Sequence, residues 1–192
     1  MNNCQRKSSR YENGFSYIDV MIAIVILMVG IIALAATLTA NLVRSYETEK
    51  QIVAKQAAVS TIESIISARD INRNNTNNGW ETVANVNPND PNARGIFLNG
   101  FTPIREDIGI DGVSGTADDA CPVNTICTVN SYQNTSAVVK GLERRIVITD
   151  VNDPERPTPP NRIRRKRIDV TIRYFVNQIS RQQLVSTMLS DY

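Results

Sequence analysis

The chain has 192 residues, a formal net charge of +2 and 42% hydrophobic residues, a length that suits one domain with an appendage. It contains no histidine, which excludes histidine-based triads, histidine-ligated zinc or haem and a histidine general base. So small a net charge points by itself to neither a nucleic-acid binder nor a membrane-surface protein.

The first segment, "MNNCQRKSSRYENG", is short, polar and basic, with Arg6, Lys7 and Arg10 against the single acid Glu12. An uncharged run follows from Val20 to Val43, 24 residues where about 20 span a bilayer. No small-residue A-x-A cleavage site comes after it, so the segment does not read as a conventional secretory signal. The basic leader predicts a cytoplasmic N-terminus, with everything after Val43 on the other side of the membrane. Asp19 stands at the mouth of the run, where a carboxylate is costly unless something neutralises it.

"GFSYIDVMIAIVIL" behind a basic leader resembles the prepilin signal of type IV pilins and type II secretion pseudopilins. The resemblance implies that a prepilin peptidase cuts between Gly14 and Phe15 and methylates the new amine of Phe15. That amine, cationic below a pKa of about 8, lies one helical turn from Asp19 and would supply its partner. Asp19 pairs either with its own subunit's amine or with a neighbour's. The family favours the neighbour, since its acid at this position, usually glutamate, guides assembly. Apart from the resemblance, an acid here suits a helix N-terminus in the headgroup region. Cleavage would also remove Cys4 and leave 18 basic and 18 acidic residues. Cys121 and Cys127 then remain as an even pair, expected to form a disulfide in an exterior compartment, with reduced thiols as the alternative.

All eight prolines lie at or after Pro88, and Gly30 is the only glycine between Phe15 and Asn78. Residues 15–72 therefore read as one long helix, with its membrane segment at about 20–43. Ile52, Val59, Ile62 and Ile66 recur at helical spacing beside Ala58 and Ile65, which predicts an apolar face on the second half. Gly30 is either a point where the helix loosens on assembly or a small residue that lets helices approach. Residues 72–99 are rich in asparagine and read as loop, with Trp80 covering the helix or the sheet edge.

"KRIDVTIRYFV" alternates, with Ile168, Val170, Ile172, Tyr174 and Val176 on one face and Arg167, Asp169, Thr171 and Arg173 on the other. With "LERRIVITDV" before it and "QLVSTMLSDY" after it, three or four antiparallel strands are expected. The fold class is thus α+β: a long N-terminal helix packed on a small antiparallel sheet. The expected organisation is a leader at 1–14, the helix at 15–72 and a β domain with loop insertions at 73–192. The finish "RIDVTIRYF…LVSTMLSDY" and the "ILMVGIIALAAT" core resemble pilus-modification minor pilins and the related minor pseudopilins.

Residues 107–118, "DIGIDGVSGTAD", carry acids at loop positions 1, 5 and 12 and glycine at 6, close to EF-hand spacing. A calcium ion would take Asp107, Asp111, the Val113 carbonyl, Asp118 and Asp119. Gly109 at position 3 and an aspartate at position 12 depart from that spacing, and the alternative is an acidic hairpin loop. "RIRRKR" at 162–167 reads as a solvated strand entry whose charges protect a sheet edge, in preference to a DNA contact.

The expected function is a structural subunit, a minor pilin-like protein of a type IV pilus. The alternatives are a minor pseudopilin of a type II secretion system and a tip-displayed calcium-dependent adhesin or DNA-binding pilin. An enzyme is disfavoured, with no G-x-S-x-G, P-loop or H-E-x-x-H motif. No cofactor is required, and structural calcium is the one candidate. The implied partners are other pilin or pseudopilin subunits, prepilin peptidase, an inner-membrane assembly platform and lipid, with nucleic acid disfavoured. The implied location is the inner membrane, single-pass with the C-terminal domain outside, then an extracellular pilus or a periplasmic pseudopilus.

Overall fold

The computed structural model describes residues 16–73, 79–90, 92–109, 111–120, 136–159 and 161–191. Gly14, Phe15, Cys121 and Cys127 lie outside the described residues. The chain is α+β and divides into two compact units, one up to Ser45 and one from Tyr46 onward.

Helix α1, Tyr17–Arg73, supplies all the described secondary structure of the first unit. Ser16 is its N-cap and Asp19 stands in its first turn. The apolar side chains of this stretch are exposed, among them Ile26 at 67% and Leu34 at 67%. The helix is long and apolar enough to cross a membrane, with a mean hydropathy of 2.9 in its most apolar window. Two of its polar side chains fit that environment. Thr37 and Thr39 donate their hydroxyls to the Ala33 and Ala35 carbonyls, both at 2.9 Å, and so carry no unmet donor toward lipid. A Cβ at Gly30 would meet nothing within 4 Å, so no side chain of this chain needs the glycine.

In the second unit the remainder of α1 packs on a four-stranded antiparallel sheet of order β1-β2-β3-β4. The strands are β1 (Thr102–Arg105), β2 (Val138–Val151), β3 (Arg165–Val176) and β4 (Ile179–Ser190). A short helix α2 (Gly79–Thr82) precedes β1, and a 3-10 turn at Ala117–Ala120 lies between β1 and β2. β3 is central and follows its sequence pattern: Ile168, Val170, Ile172, Tyr174 and Val176 are all buried against the helix side. Each fully buried aliphatic side chain is worth about 1.5–3 kcal/mol of transfer free energy, so this alternation fixes the register. The β3–β4 turn, Asn177 and Gln178, has positive φ at both positions, the I′ geometry that suits a two-residue hairpin.

The helix face that docks keeps Ala58, Ile62, Ile65 and, partly buried, Ile66 of the expected apolar face, but is turned toward the alanines. Ala54, Ala58, Thr61, Ile65 and Ala68 are buried, and Ile62 is 8% exposed. Ile52 is 53% exposed and Val59 39%, so they lie off the buried face. Alanines at 54, 58 and 68 let the backbone approach the sheet closely, and larger side chains at those positions would hold it away. Residues 79–98 complete the core with Trp80, Val83 and Phe97. Where β1 stops, the Asn85 carboxamide continues the sheet edge. It donates to the Ile146 carbonyl at 2.9 Å and accepts from the Ile148 N–H at 2.8 Å.

Candidate functional site

Asp19 sits three residues after Ser16 at the start of α1. Its Oδ2 accepts the Ser16 backbone N–H at 3.2 Å, and its own N–H bonds the Ser16 carbonyl at 3.0 Å. This is the return arm of a capping box, in which the acid at the third helical position satisfies an orphan donor. The carboxylate is exposed, so this single bond leaves room for further donors. Beside it the helix surface is apolar: Val20, Ala23, Ile24 and Leu27 line the adjoining depression. Asp19 is thus the one charged group on an otherwise uncharged stretch that extends to Val43.

The acidic loop is folded onto the buried face of the sheet. Asp119 is 8% exposed, and its Oδ2 accepts from Arg144 Nη2 at 2.7 Å and from the Gly115 N–H at 2.8 Å. Arg144, 3% exposed, also donates through Nη1 to the Ser114 hydroxyl and, at 3.4 Å, to Thr61 Oγ1 on the helix. The Ser114 N–H bonds Ser64 Oγ at 2.8 Å. One guanidinium therefore joins strand, loop and helix. Burial pulls the Arg144 guanidinium below its ordinary value, and the Asp119 carboxylate opposes that shift. Burial likewise raises Asp119, with Arg144 acting against it. Gly115 is required here: its φ is +104°, and a Cβ would lie 2.3 Å from Ile146 Cδ1.

Of the residues the loop pattern singled out, Asp111, Val113, Asp118 and Asp119 come together. The Asp111 N–H bonds Asp118 Oδ2 at 3.1 Å, the Val113 N–H bonds Asp111 Oδ1 at 2.7 Å, and Thr116 Oγ1 donates to Asp118 Oδ1. Asp107 is held through its backbone N–H by Ser136 Oγ at 3.4 Å. Among the described residues no three acidic, cysteine or histidine side chains converge in a way that could hold a metal. Although its side chain meets solvent, Asp111 is raised to about 6, chiefly by desolvation, with repulsion from Asp118 and Asp119 adding to it. Asp119 has Arg144 as its cation, so this part of the loop is neutralised from within the fold.

Two buried cations escaped the sequence reading. Arg144 shares the alternation of Leu142 and Ile146 on β2, and Lys166 shares that of Ile168 and Val170 on β3. A cation in phase with buried apolar residues was the available signal. Lys166 Nζ donates to the Trp80 carbonyl at 3.0 Å and the Val83 carbonyl at 2.7 Å, and lies 5.0 Å from the Trp80 ring centroid. Trp80 Nε1 in turn donates to the Ile163 carbonyl at 2.8 Å. The pair therefore fastens residues 79–83 to the start of β3.

The basic run enters the central strand β3 and not a sheet edge, so edge protection does not account for it. Four of its five cations have an acid within reach: Arg162 with Asp191, Arg165 with Asp153, Lys166 with Asp150 at 4.0 Å, and Arg167 with Asp169. Arg164 alone has no such partner among the described residues.

No protein-family model, no curated protein and no solved structure matches the chain.

Proposed function

We propose that this chain is a structural pilin-like subunit, a minor one by its resemblance, that is cut after Gly14, methylated on Phe15 and assembled through its N-terminal helix. The observation that carries the reading is α1. Its first part is an exposed apolar stretch fit for lipid, and its second part is the packed helix of an antiparallel β domain. One element thus serves as membrane anchor before assembly and as a packing surface after it. Asp19 fits this use, because it is exposed and makes one hydrogen bond where several are within a carboxylate's capacity. A neighbour's Phe15 amine would take that remaining capacity when helices pack side by side in apolar surroundings.

The paired state of the basic run supports a structural subunit over a DNA-binding one, since nucleic-acid binding draws on unneutralised cations. The role needs neither a catalytic group nor a metal. The test is the Asp19→Ala variant, expressed as the full chain in its host. It should insert and be cut as wild type but enter sheared filaments poorly, and Asp19→Glu should enter normally. Equal incorporation of Asp19→Ala and wild type would show that the acid only caps its own helix.

A further inference from the structure

The end of the sheet where β3 begins carries a cavity of about 250 Å³, lined by Asp153, Glu155, Arg156, Arg164, Arg165 and Ser190, all within the second unit. Its walls are held by the backbone. Val151 of β2 and Ser190 of β4 flank Arg165 of β3 in register, and the Asp191 N–H bonds the Arg164 carbonyl at 2.9 Å. A turn from Asp153 to Arg156 forms the remaining wall. Pro154 fixes φ at its second position, the Arg156 N–H bonds the Asp153 carbonyl at 3.0 Å, and the Glu155 N–H bonds Asp153 Oδ1 at 3.2 Å. Glu155 and Arg156 therefore stand on a turn of defined shape.

Three guanidiniums and two carboxylates meet at this cavity. Arg165 Nη2 lies 3.2 Å from Asp153 Oδ2, which accounts for one pair. Among the described residues, the side chains of Arg156 and Arg164 have no acid, ring or carbonyl partner, and the Glu155 carboxylate has no cation. The other arginines whose side chains are described are engaged, even exposed ones such as Arg94 with Glu81, Arg162 with Asp191 and Arg145 over the Phe101 ring. The two that are not engaged both line this cavity. Arginine keeps its proton, so their charges repel each other across it. Glu155 alone opposes them, which leaves one cation in excess.

We infer that this cavity binds a small carboxylate ligand that also carries O–H or N–H donors, either a sugar acid or an acidic amino acid. The inference does not depend on how α1 is used. A guanidinium fork matches a carboxylate in shape and charge, and a carboxylate between two forks turns their repulsion into shared attraction. The ionised Glu155 accepts hydrogen bonds and cannot donate them. It therefore favours a ligand with a donor of its own and opposes a bare anion. A single negative charge on the ligand neutralises the cavity, whereas a dianion overshoots it. The volume lies below the ~300 Å³ at which pockets for drug-sized ligands begin, so the ligand is one small unit.

The test is calorimetric titration of the full chain in detergent at low ionic strength, with glucuronate, glutamate, acetate, glucose and inorganic phosphate as probes. Glucuronate or glutamate should bind at one site per chain. The hydroxyls of the first and the ammonium of the second tell which donor Glu155 takes. Acetate, which lacks the donors, and glucose, which lacks the charge, should bind at least about tenfold more weakly, since one charge-assisted hydrogen bond is worth about that much. Arg156→Gln and Arg164→Gln should each weaken binding about tenfold with Trp80 emission unchanged, whereas Lys140→Gln, at an exposed cation outside the cavity, should not. Glu155→Gln should narrow the gap between acetate and the preferred ligand. Absence of saturable binding by both glucuronate and glutamate would overturn the inference. So would acetate or phosphate bound as tightly as they are, which marks a site for any anion. An equal loss in Lys140→Gln and Arg164→Gln, or a Glu155→Gln variant that binds every anion more tightly by the same factor, would overturn it as well.

Discussion

Removing either partner of the Arg144–Asp119 pair should destabilise the second unit strongly, and removing both should not. In Asp119→Asn the side-chain volume is kept, but a guanidinium that is 3% exposed loses its only carboxylate. Arginine cannot shed its proton, so the charge stays buried, and a broken pair of this kind costs about 3–5 kcal/mol. In Arg144→Met the stranded group is Asp119, which keeps the Gly115 N–H and can take a proton, a change its raised pKa already favours. That cost should therefore shrink as pH falls from 7 to 5, while the cost of Asp119→Asn should not shrink, because the variant loses the stability that the raised carboxyl gains on protonation. The double variant leaves no stranded charge and should lie within about 1–2 kcal/mol of wild type, a non-additivity of at least about 2 kcal/mol. Trp80 is the only tryptophan and is 5% exposed, so its fluorescence reports urea unfolding of the full chain in detergent micelles. With a slope of about 2 kcal/mol/M, Asp119→Asn should lower the midpoint by about 2 M. Single variants that each cost under about 1 kcal/mol, or a double variant equal to their sum, would refute the argument.

Lys166→Met should cost about 1–3 kcal/mol by leaving the Trp80 and Val83 carbonyls unmet, and should red-shift Trp80 emission; unchanged emission would separate Trp80 from the lysine. Asp111 binds its proton more tightly folded than unfolded, its pKa being raised from 3.8 to about 6, so its contribution to stability is present below pH about 4 and lost as pH rises to about 6. Denaturation midpoints of Asp111→Asn should fall less over that window than those of wild type, with Asp119, also raised, accounting for what slope remains. Cys121 and Cys127 should resist alkylation in the assembled protein until it is reduced; ready labelling of both would contradict their pairing.

Much of the fold was legible because two periodicities were clean. The uncharged run from Val20 to Val43 and the alternation of β3 each allow one structural reading. β1 was not legible: its four residues include a proline, and it exists by pairing with β2 across a register break. The helix face was legible only in part, because isoleucine spacing outweighed alanine: Ala58, Ile62, Ile65 and Ile66 pack on the core, whereas Ile52 and Val59 do not. The docked surface is set by Ala54, Ala58 and Ala68, whose small size permits contact and whose hydrophobicity gives little signal. For the candidate site, the sequence located Asp19 and the acidic loop, but it could not show that Asp119 turns inward to Arg144. That pairing joins residues far apart in the chain, and local spacing carries no record of it.

The central claim, that this chain is processed and assembled as a pilin-like subunit, is tested most directly by the mass of the protein recovered from host membranes. The account predicts a chain that begins at Phe15 and carries a methyl group on its amine. A chain that still begins at Met1, in a host with an active prepilin peptidase, would contradict it.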